Sequence, residues 1–302
     1  MIVVYSARYR IDIGPHVFPT DKYDRIAALV GGPFVEPAAA TWEDLALVHT
    51  PEYLAKLRDG TMTPDDIAEL ELPWSREMVD AFRVMTGGTI QAARLACGGG
   101  DIVCHIGGGL HHAFPNHGEG FCPFNDVAVA TRVLQGEGIE RIAIVDLDVH
   151  HGNGTAFIFN PRGAPRSEEE DPGVFTFSMH QQHNYPMWKP RSSLDIGLAD
   201  GTRDAAYLRE LDGALPQVLA HRPQCVFYLA GADPYEDDQL GGLRLTKDGL
   251  RKRDRRVIHA VRSANVPLVI VLAGGYARRL EDTVAIHAAT IAEADAATIA
   301  GC

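Results

Sequence analysis

The sequence predicts an α/β fold, with one mostly parallel β-sheet covered by helices on both faces and a single domain over residues 1–302. Short runs rich in β-branched residues have the length and near-continuous apolarity of strands buried on both faces. These runs are residues 102–106, 142–147, 174–179, 226–230 and 267–273. Segments with a helical pattern alternate with them, at residues 75–96, 125–135, 204–219 and 246–264. No internal repeat or low-complexity linker divides the chain.

The residues that flank these segments support the assignments. Residues 75–96 are amphipathic and are followed by Gly98, Gly99 and Gly100, which favour the end of a helix. Residues 162–171, between the second and third predicted strands, contain glycine, proline and a run of four acidic residues. We interpret that segment as a solvated loop rather than a site.

The composition favours a folded protein that does not bind nucleic acid directly. Hydrophobic residues make up 46% and charged residues 23% of the 302 residues, which is too apolar for a disordered chain. Lys and Arg total 28 against 40 Asp and Glu, so the formal net charge is -12. A surface of this charge repels phosphate backbones and attracts cations.

The first residues and the cysteines predict a cytoplasmic location without membrane contact. The start, MIVVYSARYR, lacks the apolar core of a signal peptide, and no uncharged run approaches the roughly 20 residues of a membrane span. The five cysteines form no CxxC pair and are odd in number, which fits reduced thiols better than a disulfide framework.

Polar residues are concentrated in the loops that follow the predicted strands. These loops have the sequences GGGLHHAFP, DVHHGNG, HQQHNYP, GADP and GGYA. Ligands of open parallel sheets bind beyond the carboxyl ends of the strands. We therefore expect the five loops to converge on one site.

Asp148, His150 and Asp233 are candidate metal ligands. Asp148 and His150 are two residues apart at the end of an extended segment, so the period of a strand places their side chains on one face. One imidazole and carboxylate oxygens, with a position left for water, are typical of a catalytic hydrolytic site. Zinc is the first expectation, and ferrous iron, cobalt or manganese also suits such ligands. The alternative is that Asp148 caps a helix and His150 is an ordinary loop histidine.

His111 and His112 are candidates for acid–base chemistry. Adjacent histidines point in different directions, so one can act as a general base while the other donates a hydrogen bond or holds charge. Asp146 and Asn153 flank the metal ligands and can orient the two rings. Tyr276, on the turn GGYA, is a candidate donor to an oxyanion. A surface histidine pair and a tyrosine that only packs are the alternatives.

Five blocks of the sequence resemble the successive signature motifs of the zinc-dependent histone deacetylase family. They are IGGGLHHAFPNHGEGFCPFNDVAVA, VDLDVHHGNGT, FSMHQQHNYP, AGADPYEDDQLGGL and LAGGY, in order and at compatible spacing. The resemblance covers most of the chain, from residue 1 to about 285. VYSARYRIDIGPHVFPTDKY and DQLGGLRLTKDGLRKRD are most similar to the class IV branch and its small bacterial relatives. The resemblance implies a three-layer arginase/deacetylase fold with a sheet of about eight strands. It also implies an enzyme that hydrolyses N-acyl-lysine or a similar amide.

The resemblance also implies a role for individual residues. The three candidate metal ligands would hold zinc, and His112 would be the general base and acid beside His111. Zinc and Tyr276 would polarise the amide carbonyl while His112 takes a proton from the attacking water. The histidine pair would then protonate the leaving amine.

A substrate tunnel and a potassium site are implied in the same way. The narrow acyl-lysine tunnel would be lined by Gly120, Phe121, Tyr185 and, at its rim, Leu240. A structural potassium ion would be bound by the side chain and backbone of Asp146, Ser178 Oγ, the Met179 carbonyl and the backbone carbonyls of Asp148 and His150. Ordinary core packing is the alternative for the two tunnel aromatics.

Two residues depart from the common pattern of the family. Many members have aspartate at the position of Asn153, so the partner of His112 would be neutral here and the imidazole less basic. Some branches, class IV among them, tolerate this asparagine. Tyr185 replaces phenylalanine and adds a hydroxyl group that needs a partner.

The net charge of -12 favours a cationic substrate, either an acyl-lysine protein or peptide or a small N-acylated amine such as an acetylpolyamine. The tunnel-narrowing insertion of polyamine-specific relatives is not evident, which favours acyl-lysine.

A non-catalytic binding module, one alternative function, would be expected to have lost a metal ligand or the tyrosine. An arginase-like ureohydrolase would need further aspartates for two manganese ions. Acyl chain length, oligomeric state and the physiological metal stay open.

Overall fold

A single parallel sheet organises the part of the chain that the computed structural model describes, residues 1–160 and 171–299. Its strands are β1 (Ile2–Val4), β2 (Ile102–His105), β3 (Ile142–Asp146), β4 (Val174–Gln181), β5 (Leu194–Leu198), β6 (Cys225–Leu229) and β7 (Leu268–Val271). All neighbouring strands run parallel, in the order β1-β2-β7-β6-β3-β4-β5. The α/β class is confirmed, with seven strands where the resemblance implied about eight.

The five strands that the sequence predicts are the five central ones. β2, β7, β6, β3 and β4 are consecutive neighbours, and their bounds differ from the predicted ones by at most two residues at either end. Every residue of β2, β3, β6 and β7 is buried. Burial on both faces is the reason for the continuous apolar runs.

The two strands that the sequence analysis did not predict, β1 and β5, form the edges of the sheet. β1 has three residues, which is too short for a strand pattern to be recognised. In β5, exposed and partly buried residues alternate along LDIGL, because one face of an edge strand can remain in water. Neither segment has the unbroken apolarity of the central strands.

The described residues contain ten α-helices. They are α1 (Lys22–Val30), α2 (Trp42–Leu45), α3 (Pro51–Asp59), α4 (Pro64–Leu70), α5 (Arg76–Leu95), α6 (Asp126–Gly136), α7 (Asn153–Phe159), α8 (Asp204–Ala220), α9 (Lys247–Ser263) and α10 (Leu280–Ile299). The four predicted helices correspond to α5, α6, α8 and α9. Ser75, Asn125 and Thr246 cap three of them through side-chain oxygens.

The helices form two layers on the faces of the sheet. In one, α1, α10, α9 and α8 contact one another in series; in the other, α5 and α6 pack together, with α2, α3 and α7 against them. The helices that were not predicted are mostly short, and the long α10 is alanine-rich and lacks a one-sided apolar stripe. Within the described residues, no helix combines the length and apolarity that crossing a membrane requires. Residues 162–170 of the predicted loop lie outside this part of the chain.

Candidate active site

The carboxyl ends of three neighbouring strands bring the candidate metal ligands together. Asp148 follows β3, Asp233 follows β6 and Gly274 follows β7. Asp148 Oδ2 accepts a hydrogen bond from Gly274 N at 2.8 Å, and Asp233 Oδ1 accepts one from Val149 N at 2.9 Å. These backbone donors fix one oxygen of each carboxylate, so the loops converge as the topology predicted.

Asp148, His150 and Asp233 form a buried group that fits a divalent cation. Each offers one ligand atom, and these atoms all lie within 4.8 Å of one another. Asp233 Oδ2 is buried and accepts no hydrogen bond from the described residues. A buried carboxylate oxygen without a hydrogen bond is unfavourable unless a cation satisfies it. One imidazole and two carboxylates suit zinc and also other first-row divalent metals.

The two carboxylates attract positive charge to this group. Burial and the negative charge of Asp148 raise the pKa of Asp233 to about 7. Burial lowers the pKa of His150, but the hydrogen bond to Asp148 and the negative charges of Asp148 and Asp233 outweigh it and raise this pKa to about 10. Two adjacent buried acids therefore require compensating positive charge, which a bound cation supplies.

The backbone at the first two ligands differs from the predicted extended segment. β3 ends at Asp146, and residues 148–150 form a bend. The side chains meet because His150 Nδ1 donates to Asp148 Oδ1 at 3.0 Å, so the two-residue strand period is the wrong reason for their proximity. The alternative in which Asp148 caps a helix is also wrong, because the residue that precedes α7 is Gly152.

A glycine-rich turn after β2 presents the histidine pair. Gly108 and Gly109 have φ values of +71° and +82°, a region that glycine adopts without steric cost. A Cβ atom on Gly109 would lie 2.6 Å from Ala273 Cβ, so the turn packs directly on the end of β7. Leu110 N donates to Asp126 Oδ1 at 2.7 Å and anchors the turn on α6.

His111 and His112 are buried beside the candidate metal ligands rather than exposed at the surface. His111 Nδ1 donates to Asp146 Oδ2 at 2.7 Å, and His112 Nδ1 donates to Asn153 Oδ1 at 2.7 Å. The two Nε2 atoms are 3.1 Å apart, and the His112 ring centroid lies 6.0 Å from that of His150. Each ring is thus oriented through its second nitrogen.

The two histidines have opposite tendencies to bind a proton. Burial lowers the pKa of His111, but the charges of Asp146 and Asp148 outweigh it and raise this pKa to about 9. Burial and the positive charges of His111 and His150 hold the pKa of His112 well below its usual range. At neutral pH His111 keeps its proton, while His112 is neutral and can accept one at Nε2.

Tyr276 lies in the loop after β7 and borders the same region. Its backbone N–H donates to Asp238 Oδ2 at 2.7 Å, and its carbonyl accepts from Gln239 N at 3.1 Å. Burial, followed by the charges of Asp148 and Asp233, keeps the pKa of the Tyr276 hydroxyl well above its usual range. The hydroxyl therefore remains a hydrogen-bond donor.

A cavity of about 190 Å³ adjoins these groups. It is lined by Glu71, His112, Gly120, Phe121, His150, Asn184, Tyr185, Leu240 and Tyr276. All four residues that the sequence analysis expected in a tunnel border this cavity. The candidate base, one candidate metal ligand and the candidate oxyanion donor border it as well.

Gly120 and Phe121 form a tight turn that shapes this cavity. Their φ values are +53° and +67°, and the flanking Glu119 and Cys122 exchange backbone hydrogen bonds, as in a type I′ hairpin turn. A Cβ atom on Gly120 would lie 2.7 Å from His112 Cδ2, so only glycine allows this close approach. The Phe121 backbone is held in an unusual conformation, which is common at functional sites.

The residues expected to bind potassium lie near the ends of β3 and β4. Asp146 and Ser178 are register partners on these strands, and Met179 is next along β4. Asp146 Oδ1 accepts a hydrogen bond from Asp148 N at 3.1 Å. The structure brings these residues together, and potassium binding by them stays a prediction.

Lys22 and Asp238 are buried charged residues near the site that the sequence analysis did not assign. Lys22 Nζ donates to the Ala273 carbonyl at 2.9 Å and lies 5.9 Å from the Tyr276 ring centroid. Asp238 accepts hydrogen bonds from the backbone N–H groups of Tyr276 and Leu240, at 2.7 and 2.8 Å, and so joins two loops that border the cavity. From the sequence alone, both resemble surface residues, because Lys22 lies near the start of a helix and Asp238 is one of several neighbouring acids.

Arg253 is a buried cation that supports the site from α9. Its Nη1 donates to the Gly231 carbonyl at 2.6 Å, beside the loop that carries Asp233, and its Nε donates to Asp254 Oδ1 at 2.9 Å. Arg253 occupies the same buried face of α9 as Leu250 and Val257. A charged residue that interrupts an apolar helix face is a signal that could have identified it from the sequence.

Replacing Arg253 by methionine should lower the free energy of unfolding by about 3–5 kcal/mol, because Asp254 would remain buried without its cation. Urea unfolding followed by circular dichroism measures this change. Arg255→Met, at an exposed position of the same helix, is the matched control and should have little effect. A loss for Arg253→Met no larger than the loss for Arg255→Met would contradict the prediction.

Comparison with known protein families gives a match over most of the chain. Residues 17–291 match the histone deacetylase domain family. An uncharacterized protein of Picosynechococcus sp. is 45% identical over 295 residues, which cover 94% of this chain and 95% of that protein. Histone deacetylase 2 of Arabidopsis thaliana is 33% identical over 297 residues, covering 91% and 74%. A probable deacetylase of Archaeoglobus fulgidus is 32% identical over 258 residues, covering 80% and 68%.

Solved structures agree with the fold. The HD domain of HDA15 superposes with a TM-score of 0.80 at 24% identity, covering 100% of this chain and 92% of that one. An HDAC homolog complexed with SAHA superposes with a TM-score of 0.79 at 22% identity, covering 97% and 84%. At these identities the two structures support the fold alone.

Proposed function

This chain belongs to the histone deacetylase family, and we propose that it is a zinc-dependent amidohydrolase that removes acetyl or longer acyl groups from N-acyl-lysine in proteins or peptides. One observation carries the proposal: the candidate metal ligand His150 lines the same cavity as His112 and Tyr276. Hydrolysis of an amide needs a polarised carbonyl, an activated water and a proton for the leaving amine. This cavity gathers residues suited to all three tasks.

Asp148, His150 and Asp233 are the residues that would hold the metal. When bound, zinc, or alternatively ferrous iron or cobalt, supplies a Lewis acid that polarises the amide carbonyl and makes water a better nucleophile. Two features support this assignment: Asp233 Oδ2 accepts no hydrogen bond from the described residues, and the three side chains offer both nitrogen and oxygen donors.

His112 acts as the general base in the proposed mechanism. Its Nε2 takes a proton as the water oxygen attacks the carbonyl carbon, while its Nδ1–H remains bonded to Asn153 Oδ1. The Tyr276 hydroxyl donates to the carbonyl oxygen as that atom gains negative charge. The carbon–nitrogen bond breaks when the pair of His111 and His112 delivers a proton to the nitrogen, which leaves a carboxylate and a free amine.

Tyr276→Phe should lower kcat by about 10²- to 10³-fold, with a smaller effect on substrate binding, because it removes one donor to the oxyanion. The ring is kept, so zinc content and melting temperature should not change. All three quantities are measured on one preparation. Tyr235→Phe, at a tyrosine outside the cavity lining, serves as the control. A melting temperature that falls while kcat stays within about threefold would mean that Tyr276 only packs.

A cationic substrate fits the charge of the protein. Glu71 lines the cavity and is exposed, and the formal net charge of the chain is -12. Acidic groups at a cavity raise the local concentration of cations. These features favour acyl-lysine in a basic peptide and equally a small N-acylated amine such as an acetylpolyamine, which is the alternative substrate class.

Two further expectations belong to this proposal. A structural potassium ion would be held by Asp146, Ser178 Oγ and the Met179 carbonyl, together with the backbone carbonyls of Asp148 and His150. The adjacent register of β3 and β4 supports this assignment.

We also keep the prediction of a cytoplasmic protein that binds neither nucleic acid nor membranes directly. The net charge of -12 supports the part of this prediction that concerns nucleic acid, because a negative surface repels phosphate groups.

The experiment that tests the function is hydrolysis of a panel of amides by the purified protein loaded with zinc, iron or cobalt. The panel contains peptides with acetyl-lysine, peptides with longer acyl-lysine groups, and acetylated polyamines. We expect release of the free lysine from one or more peptides. Activity confined to the polyamines would establish the alternative substrate class, and no hydrolysis with any metal would contradict the proposed function.

A further inference from the structure

Glu119 contacts both residues that depart from the common family pattern. Its Oε1 accepts a hydrogen bond from Asn153 Nδ2 at 2.9 Å and another from the Tyr185 hydroxyl at 2.7 Å. Asn153 Oδ1 accepts from His112 Nδ1 at 2.7 Å, and the Tyr185 ring packs edge-on against the His112 ring, with centroids 5.0 Å apart. The four side chains thus form a closed ring of contacts that includes the proposed general base.

The chemistry of Glu119 determines the orientation of the Asn153 amide. An ionised carboxylate only accepts hydrogen bonds, so the part of Asn153 that faces Glu119 must be its NH₂ group. The Asn153 carbonyl oxygen then faces His112 and can only accept. His112 must therefore carry its proton on Nδ1, which leaves the lone pair on Nε2.

An asparagine at this position needs such a constraint, in addition to His111, whose Nε2 lies 3.1 Å from His112 Nε2, whereas an aspartate does not. Both oxygens of an aspartate accept hydrogen bonds, so either one selects the same histidine tautomer. A half-turn of the asparagine amide would instead present its NH₂ group to His112 Nδ1. His112 would then carry its proton on Nε2 and could not accept one from water there.

We propose that Glu119 is a positioning residue, which fixes the Asn153 amide and thereby holds His112 in the tautomer that acts as a base at Nε2. The same carboxylate binds the Tyr185 hydroxyl and so joins the cavity wall to the base. This inference rests on the proposed function, in which His112 is the general base. Glu119 acts through Asn153 and does not line the cavity beside the reacting groups.

Glu119 is well placed for this role. It begins the tight turn at Gly120 and Phe121, and its side chain is only 16% exposed. Burial raises the pKa of Glu119, but hydrogen bonds from His117, Tyr185 and Asn153 outweigh burial and hold this pKa below its usual range. The carboxylate is therefore ionised at neutral pH and can accept both hydrogen bonds at once.

Two substitutions separate the hydrogen-bond acceptor from the charge. Glu119→Gln keeps a carbonyl oxygen that can face Asn153 and Tyr185, whereas Glu119→Met has a similar length and no such acceptor. We expect Glu119→Met to lower kcat by about 10- to 100-fold while KM changes by less than about threefold. Glu119→Gln should restore kcat to within about threefold of the wild-type value. Equal losses in the two variants would overturn the proposal.

Nuclear magnetic resonance of the His112 ring gives a readout that does not depend on turnover. In protein labelled with ¹⁵N-histidine, the His112 signals are those that disappear in His112→Ala. We expect the Nδ1–H tautomer alone in the wild type and in Glu119→Gln, and a mixture of tautomers in Glu119→Met. If Glu119→Met retains only the Nδ1–H tautomer, the proposal is wrong even when activity falls.

The control is Glu69→Gln, which removes another carboxylate from the same corner of the protein. Glu69 Oε1 lies 3.5 Å from His117 Nε2, and no hydrogen bond or ion pair joins Glu69 to the four residues of the ring. Glu69→Gln should leave both the tautomer and kcat unchanged. Because the tautomer can be measured in protein that hydrolyses no substrate of the panel, failure of the proposed function and failure of this inference are distinguishable.

Discussion

Asp233→Ala is expected to remove the bound metal and the deacylase activity together. The substitution deletes one of three protein ligands, and two ligands bind a divalent ion too weakly to retain it during purification. Metal analysis of the protein after dialysis against zinc, combined with kcat for an acyl-lysine peptide, measures both effects. We expect less than about a tenth of the wild-type metal content, and turnover at background, because even the groups that only orient metal ligands are worth about 10- to 100-fold in metal affinity.

Two further variants make this test specific. Asp237→Ala changes a partly exposed aspartate of the same loop and should keep both zinc and activity. Asp233→Asn retains an oxygen for the hydrogen bond from Val149 N but lacks the charge, so it should lose the metal without the loop being disturbed. Near-stoichiometric zinc and normal turnover in Asp233→Ala would refute the assignment of Asp233 as a ligand.

His112→Ala should keep the metal and lose most of the turnover. A general base contributes roughly 10²- to 10⁴-fold to the rate. Burial and the positive charges of His111 and His150 hold the pKa of His112 well below its usual range, so its imidazole is neutral and free to accept a proton. Zinc content should remain near that of the wild type, because His112 is not one of the three candidate ligands. Steady-state kinetics and metal analysis of the same sample separate the two quantities.

The exposed His259 on α9 provides the matched control, since His259→Ala removes an imidazole that does not line the cavity. It should leave kcat and zinc content unchanged. If His112→Ala keeps normal turnover, the role of general base moves to His111. Loss of zinc in His112→Ala would instead mean that His112 supports the metal site, and the assignment of roles within the pair would be wrong.

The sequence was most informative where the sheet is buried on both faces. The five central strands appear as continuous apolar runs because almost all of their side chains are buried. The edge strands β1 and β5 carry no such pattern, since one is very short and the other is half solvated. A strand at the edge is recognised by its pairing with a neighbour, which is a property of the assembled sheet.

The candidate site was predictable as a set of residue types at the ends of strands. Asp148, His150 and Asp233 were selected from their chemistry and from the rule that loops at the carboxyl ends of parallel strands converge. The two-residue period of a strand does not explain the proximity of Asp148 and His150, because their backbone bends and a hydrogen bond joins their side chains. The site was therefore identified by the convergence of loops at the ends of parallel strands, and not by the two-residue period of a strand.

The sequence by itself determined which chemical groups are available and at which end of the sheet they lie, because strand order and loop composition are encoded along the chain. Its resemblance to the family also identified Asn153 and Tyr185 as residues that differ from the common pattern of that family. Only the tertiary structure decided that one carboxylate, Glu119, serves both, from 34 and 66 residues away along the chain. Hydrogen bonds between side chains so distant in sequence depend on how loops pack on one another, and no local pattern records that packing.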